Sequence, residues 1–327
     1  MRFKKNKKRK ILIAVSTALF LLIGVYFFVG NYFYNYAIAR TQKSFMENNP
    51  KLPNSEHKNE EKSSVAVFKT DNKKWLEETP QNDEEITSFD GLKLSATSFK
   101  NESSNKWIIA VHGYASNRTR LYDRVQGFFE QGFNVLSIDC RGCGKSQGDF
   151  MTMGLLDRLD VIDWCKMIIE KQPKCEIVLY GTSMGGATVM MASGENEILP
   201  KNIKCIVEDC GYTSARNIFC FQLKDQFGLP PFPIINALNL VTKIRAKFDL
   251  NQASCIEQLK KNKLPIMFIH GTKDEFVPFD MVHELFKSTN AEKKLYTVNG
   301  AGHNCAFKQE PRKYMEKVLE FIFQSLA

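Results

Sequence analysis

The sequence predicts an α/β protein, a mostly parallel central sheet with helices on both faces, preceded by one transmembrane helix. Three features of the chain point there. Short runs that are apolar at every position recur from residue 107 onward, which suits strands buried on both faces, as in parallel sheets. Helix-like segments alternate with them, and such alternation covers a sheet on both sides. At the other end, Ile11 to Gly30 is an uncharged, almost wholly apolar run, and about twenty helical residues rise about 30 Å, enough to cross a hydrocarbon core.

The N-terminal segment explains the charge of the chain. Of the formal +9, seven charges come from Arg2, Lys4, Lys5, Lys7, Lys8, Arg9 and Lys10, leaving 9 − 7 = +2 for the rest. The body is nearly balanced, so it has no basic face for nucleic acid. A basic tail (residues 1–10) before the apolar span (11–30), with only Arg40 and Lys43 close behind it, places the N-terminus in the cytoplasm and everything after residue 30 outside. Tyr26, Tyr32, Tyr34 and Tyr36 cluster at the far end, where amphipathic rings favour the interface. Ala37-Ile38-Ala39 resembles a signal-peptidase site. The long apolar run and the aromatic stretch before that site favour an uncleaved anchor over a cleaved signal.

Residues 31–85 are polar and weakly periodic, and read as a stalk, although Val65 to Phe68, Trp75 and Leu76 could lie against the domain. The main domain then runs from 86 to 327. Ile86 to Phe89 and Leu92 to Phe99 flank Asp90-Gly91, the signature of a hairpin with a primed turn. Strands follow at Trp107 to Val111, Val135 to Ile138, Glu176 to Tyr180, Cys205 to Val207, Ile266 to Ile269 and Leu295 to Val298. Helices are expected around Arg120 to Glu130, Leu155 to Glu170, Gly185 to Ser193, Met281 to Lys287 and Arg312 to Phe323. An apolar, proline-punctuated insertion at about 213–255 reads as a small helical cap. Its Phe219, Phe221, Phe227, Leu229, Phe232, Ile234, Ile235, Leu238 and Leu240 are candidates for core packing, for an acyl or aromatic pocket, or for both.

Functional groups in such sheets gather at the carboxyl ends of the strands, and three candidates stand there. Gly181-Thr182-Ser183-Met184-Gly185 follows one strand and opens a helix. This elbow needs small residues two before and two after its serine, because the turn leaves no space for side chains. A serine hydroxyl is a weak nucleophile without a base, and the base needs an orienting group. His303, after the last strand, is the expected base, and Asp274, after the strand before it, the expected acid; the chain order Ser, Asp, His suits this fold. Oxyanion donors are expected in the backbone N–H groups of Met184 and of Tyr114, the latter in the turn His112-Gly113-Tyr114. His112 reads as a packed turn residue, Glu275 as a weaker alternative to Asp274, and Glu208 and Asp209 as structural or substrate-facing.

Other patterns carry less. Gly144-Lys145-Ser146 resembles a phosphate loop, but the glycine required five residues earlier is Asp139. Cys140 and Cys143 have metal-site spacing without a second pair. The nine cysteines, an odd number, read mostly as small buried hydrophobes. No metal or organic cofactor is expected.

Taken together, His112-Gly113, Asp139-x-Arg141-Gly142-x-Gly144-x-Ser146, Gly181-x-Ser183-x-Gly185, Asp274 and Gly302-His303 resemble the recurring motifs of the α/β-hydrolase superfamily, over about residues 86 to 327. Leu229-Pro230-Pro231-Phe232-Pro233 and Lys243-Ile244-Arg245-Ala246 are similar to text found in membrane-anchored α/β-hydrolase family proteins of Firmicutes, near the esterase and prolyl-oligopeptidase-like branches. The resemblance implies the α/β-hydrolase fold and acyl-transfer chemistry without naming a substrate. The expectation is a membrane-anchored serine hydrolase acting on a small-molecule or lipid-like ester. A serine peptidase of the same fold, or a non-catalytic binding protein on it, are the alternatives.

Overall fold

In the computed structural model, which describes residues 2–47, 49–52 and 72–327, the apolar runs become the interior of one eight-stranded sheet. The strands are β1 (Gln81–Thr87), β2 (Lys93–Phe99), β3 (Lys106–Val111), β4 (Asn134–Ile138), β5 (Glu176–Thr182), β6 (Ile203–Asp209), β7 (Ile266–Gly271) and β8 (Lys293–Val298). Their order is β1-β2-β4-β3-β5-β6-β7-β8. β2 pairs antiparallel with β1 and β4, and every other pairing is parallel. All residues of β4 and β7 are buried, as continuous apolar runs require when helices cover both faces.

Helices α1 (Arg2–Ala37), α2 (Ser44–Glu47) and α3 (Asn72–Glu78) precede the sheet. Covering it are α4 (Tyr122–Glu130), α5 (Asp157–Lys171), α6 (Met184–Ala192), α9 (Cys255–Leu259), α10 (Asp280–Ser288), α11 (Ala306–Gln309) and α12 (Pro311–Leu326), while α7 (Ala215–Phe227) and α8 (Pro231–Arg245) form the cap. An isolated bridge between Ser214 and Ser254 closes the root of that insertion, close to the expected limits of 213 and 255. Two apolar clusters, one on each face of the sheet, share the core.

Two expectations are corrected at the start of the domain. β1 begins at Gln81, not Ile86, because its first residues, Gln-Asn-Asp-Glu-Glu, form a solvent-facing edge and carry no apolar signal. The hairpin turn is not a primed Asp90-Gly91 pair. Gly91 has φ +89° while Asp90 is not left-handed, and a primed type I turn needs both. The loop instead closes through Ser88 N–H to Leu92 O and Gly91 N–H to Ser88 O, and Arg141 holds the Asp90 carboxylate at 2.8 Å.

The stalk expected over 31–85 is corrected at both of its described ends. The stretch Lys8–Ala37 is long and apolar enough to cross a membrane, but its helix continues past residue 30 and packs on the domain. Gly30 makes that approach possible: a Cβ there would lie 2.5 Å from Ala237 O on α8. Arg245 donates to Asn31 and Asn35 at 2.6 and 2.9 Å and stacks over Tyr34. Beyond the helix, Arg40 N–H bonds Asp149 O and Met151 N–H bonds Ile38 O, so Ala37-Ile38-Ala39 is buried. At the other end Trp75 stacks on Phe99 at 4.9 Å. Val65 to Phe68 lie outside the described residues.

Candidate active site

Ser183 sits between β5 and α6 with φ +54° and ψ −116°, a conformation L-residues rarely adopt and which surrounding contacts must enforce. The flanking glycines are those contacts. A Cβ on Gly181 would lie 2.2 Å from Gly185 O, and one on Gly185 would lie 2.0 Å from Val111 O on the neighbouring β3. The Ser183 N–H donates to Asp209 O at 2.7 Å, which ties the turn to the end of β6. The strain therefore aims the hydroxyl upward from a fixed base.

The two other candidates meet it there. His303 Nε2 lies 2.9 Å from Ser183 Oγ, and its Nδ1 lies 2.7 Å from Asp274 Oδ2. All three residues are buried. Asp274 is anchored by its other oxygen, which accepts from the N–H groups of Phe276 and Val277 at 3.0 and 2.8 Å. Burial alone would raise its pKa. The charge of His303 and hydrogen bonds from His270 and His303 together outweigh that, and hold the carboxyl well below the usual carboxylate range. Glu275 is exposed and takes no part in this chain of bonds.

His270, to which the sequence assigned no role, joins this network. In the structure its Nε2 faces two acceptors, Val277 O at 3.0 Å and Asp274 Oδ2 at 3.2 Å, while Nδ1 is buried without a partner. That arrangement assigns the proton to Nε2, so His270 is a second donor to the acid. The signal was available as a histidine four residues before the aspartate on one strand-to-turn unit. Asp209 serves the elbow through its carbonyl, and Tyr314 donates to its carboxylate at 2.8 Å. Glu208 is buried and accepts from Gly211 N–H at 2.9 Å, with its second oxygen unpartnered. Neither carboxylate is substrate-facing.

The turn after β3 abuts the nucleophile: a Cβ on Gly113 would come within 3.3 Å of Ser183 Cβ. Met184 opens α6 directly behind Ser183, and Tyr114 follows Gly113 with its hydroxyl donating to Ala37 O at 2.8 Å. His112 is the packed turn residue: Nδ1 bonds Gly113 O and Nε2 accepts from Cys140 N–H. In the Asp139–Ser146 loop, Asp139 binds Arg118 and the Lys145 N–H, Arg141 forks onto Asp160, and Ser146 Oγ donates to Asp139 O. The loop is a brace, and Cys140 and Cys143 are buried within it as free thiols. Cys210, Asp274 and His303 bring ligand-type atoms within 4.8 Å of one another. Burial and nearby Asp209 push the Cys210 thiol well up, so it stands behind the relay as a neutral group, not as a thiolate ligand.

Ser183 opens onto a pocket whose walls include Tyr114, Met153, Tyr212, Ile218, Phe219 and Phe276. Of the cap side chains singled out from the sequence, Phe219 alone lines it. Ile235 and Leu238 are buried in the core and Phe232 is 73% exposed, because α8 spends its inner face on α1 and not on the pocket.

Comparison with known proteins follows the same outline. Residues 102–207 match a family described as serine aminopeptidase, S33. The chain is 23% identical to the uncharacterized protein YqkD of Bacillus subtilis over 216 residues, covering 66% of this chain and 70% of that one. It is 26% identical to the uncharacterized membrane protein YNL320W of Saccharomyces cerevisiae over 243 residues, 73% and 78% of the two chains. Among solved structures it is similar to the Pyrococcus furiosus esterase Pf2001, with TM-score 0.63 and 26% identity over 78% of this chain and 94% of that one.

Proposed function

We propose that this chain, a hydrolase with the α/β-hydrolase fold, works as a serine hydrolase that cleaves esters of hydrophobic acyl groups through Ser183, His303 and Asp274. The observation that carries this reading is the unbroken hydrogen-bond chain from Ser183 Oγ through His303 to Asp274, at the floor of an apolar pocket. Ser183 Oγ attacks the carbonyl carbon while its proton passes to His303 Nε2. Asp274 holds the Nδ1–H and stabilises the imidazolium. The oxyanion faces the amides of Tyr114 and Met184, where charge stabilisation contributes most. His303 then protonates the departing alcohol, leaving an acyl-enzyme. A water, deprotonated by the same imidazole, releases the acid and restores the serine.

A peptidase reading has one specific support, the aminopeptidase description of the matching family. An aminopeptidase needs an acidic group to receive the substrate's α-ammonium, and none of the residues lining the pocket carries a charge. The uncharged wall favours an acyl chain. We further propose that α1 anchors the protein in a membrane with its basic end in the cytoplasm and the catalytic domain outside. The basic tail, the apolar stretch and the similarity to a yeast membrane protein support that.

One experiment tests both readings. A charged, membrane-impermeant fluorophosphonate applied to intact expressing cells is expected to label the wild type and not Ser183→Ala. Labelling that appears only after lysis overturns the orientation. No labelling of the wild type even in the lysate overturns the activated serine.

A further inference from the structure

The pocket above Ser183 is completed by residues that precede the hydrolase domain. Tyr36 and Ala37, from the last turn of α1, and Phe45, from α2, stand in its wall. They are fixed there. Tyr36 stacks on Phe45 at 4.5 Å between ring centroids and meets Phe227 edge-on at 5.3 Å. Its hydroxyl donates to Gln226 Oε1 at 2.6 Å, Gln226 donates to Gln222 at 2.5 Å, and Gln222 donates to Phe276 O at 2.6 Å. That relay runs from the end of the apolar helix, along the cap helix α7, to the loop that carries Asp274. Tyr114, whose amide is the proposed oxyanion donor, grips Ala37 O from the opposite side.

We propose that the end of α1 and the segment behind it form the acyl-selecting wall of the site, with Phe45 and Tyr36 setting which chain lengths Ser183 accepts. This rests on the ester-hydrolase reading above and deepens it. The substrate class that fits is an amphiphilic ester whose single acyl chain is drawn from the bilayer. Two independent features support that source. The stretch of α1 before Gly30 is apolar and exposed, from Ile11 through Phe28, so the helix that would sit in lipid ends in the pocket wall. α8 runs beside α1 in the same direction, since Gly30 abuts Ala237 and Val241 while Asn35 reaches Arg245. The start of α8 therefore lies alongside the part of α1 that precedes Gly30, and there Leu229 and Phe232 are exposed, Phe232 at 73%. An exposed apolar turn beside a membrane-spanning stretch is placed to enter the same leaflet.

The test uses the full-length chain in detergent micelles and compares kcat/KM for a twelve-carbon and a four-carbon p-nitrophenyl ester. Phe45→Ala, which widens the wall, is expected to raise the twelve-to-four ratio by about tenfold. Phe45→Trp, which narrows it, is expected to lower the ratio by a similar factor, since each methylene placed in or kept out of an apolar pocket is worth roughly fourfold. Opposite shifts from two substitutions at one position cannot come from misfolding, and fluorophosphonate labelling of each variant checks that the nucleophile is assembled. A ratio within about twofold of the wild type in both variants overturns the proposal. Should the wild type hydrolyse neither ester, the hydrolytic reading fails by itself, and binding of a fluorescent twelve-carbon fatty acid to the same variants decides the wall. About tenfold weaker binding to Phe45→Trp supports it, and unchanged binding to both variants overturns it.

Discussion

The two ends of one cleft are built on different principles. At the Ser183 end, local backbone demands fix the geometry: a strained φ of +54°, two glycines with no space for a Cβ, and a carboxylate tied by two main-chain N–H groups. At the opposite end, the wall comes from contacts between residues nearly two hundred positions apart, such as Tyr36 with Gln226. The first end has one solution for one reaction. The second is packing between an apolar helix and a cap, and packing tolerates volume changes that a strained turn does not. Chemistry and selectivity should therefore fail separately, and substitutions at each end can show whether they do.

The largest effect is expected from Asp274→Asn. The amide keeps the shape but removes the charge that fixes His303 in its working tautomer, and kcat should fall by about four orders of magnitude for long and short esters alike. A loss confined to long esters would mean that the two ends are not separable. Gly30→Val is expected to act in the converse manner. Its side chain would drive α1 from Ala237 O and Val241, since the Cβ alone would lie at 2.5 and 2.8 Å from them. The twelve-to-four ester ratio should shift by about tenfold from the wild type, because the wall no longer stands where it selects the chain, while the labelling rate with a small fluorophosphonate stays near that of the wild type. Equal losses in both assays would show that α1 holds the nucleophile as well as the wall.

The same contrast explains what the sequence disclosed. Strands β3 to β7 were legible because their centres, buried on both faces, read as apolar runs, the edge strand β8 by Leu295, Tyr296 and Val298, and the elbow because its sterics allow only small residues at 181 and 185. The edge strand β1 was not, since Gln81 to Glu85 face solvent. Ser183, Asp274 and His303 each stood beyond a readable strand, and the structure brings Ser183 and Asp274 within hydrogen-bond distance of the two nitrogens of His303. His270 lay in plain text, but its role depends on a turn that folds Val277 O and Asp274 toward one ring nitrogen. The pocket was the least legible part. The cap's aromatic residues looked like its lining, yet α8 turns toward α1, a partner that the reading of residues 31–85 as a stalk had removed from consideration. Only tertiary contact identifies Tyr36 and Phe45.

The smallest effect is expected where the two ends join. Glu208 stands next to the end of β6, its carboxylate accepts from Gly211 N–H at the root of the cap, and the same oxygen stands 3.1 Å from where a Cβ on Gly186 of α6 would be. Burial, only partly offset by His270 and the Gly211 N–H, pushes its pKa up to about 8 from an ordinary 4.5. A carboxyl whose pKa rises on folding binds its proton more tightly in the native state. Its contribution to stability is whole below pH 4.5 and is lost as the pH climbs through about 8. Glu208→Gln holds the neutral form at every pH, so the variant and the wild type should melt together near pH 4.5, with the variant higher by roughly 5 °C at pH 9. Melting curves across that window measure it. A constant offset at all pH values would mean that the residue acts by packing, and that the junction between nucleophile and cap holds no titrating charge. A gap that opens between pH 4.5 and about 8 and then levels off would make this acid a point at which solvent pH reaches both ends of the cleft at once, since protonation there bears on α6 and on the root of the cap together.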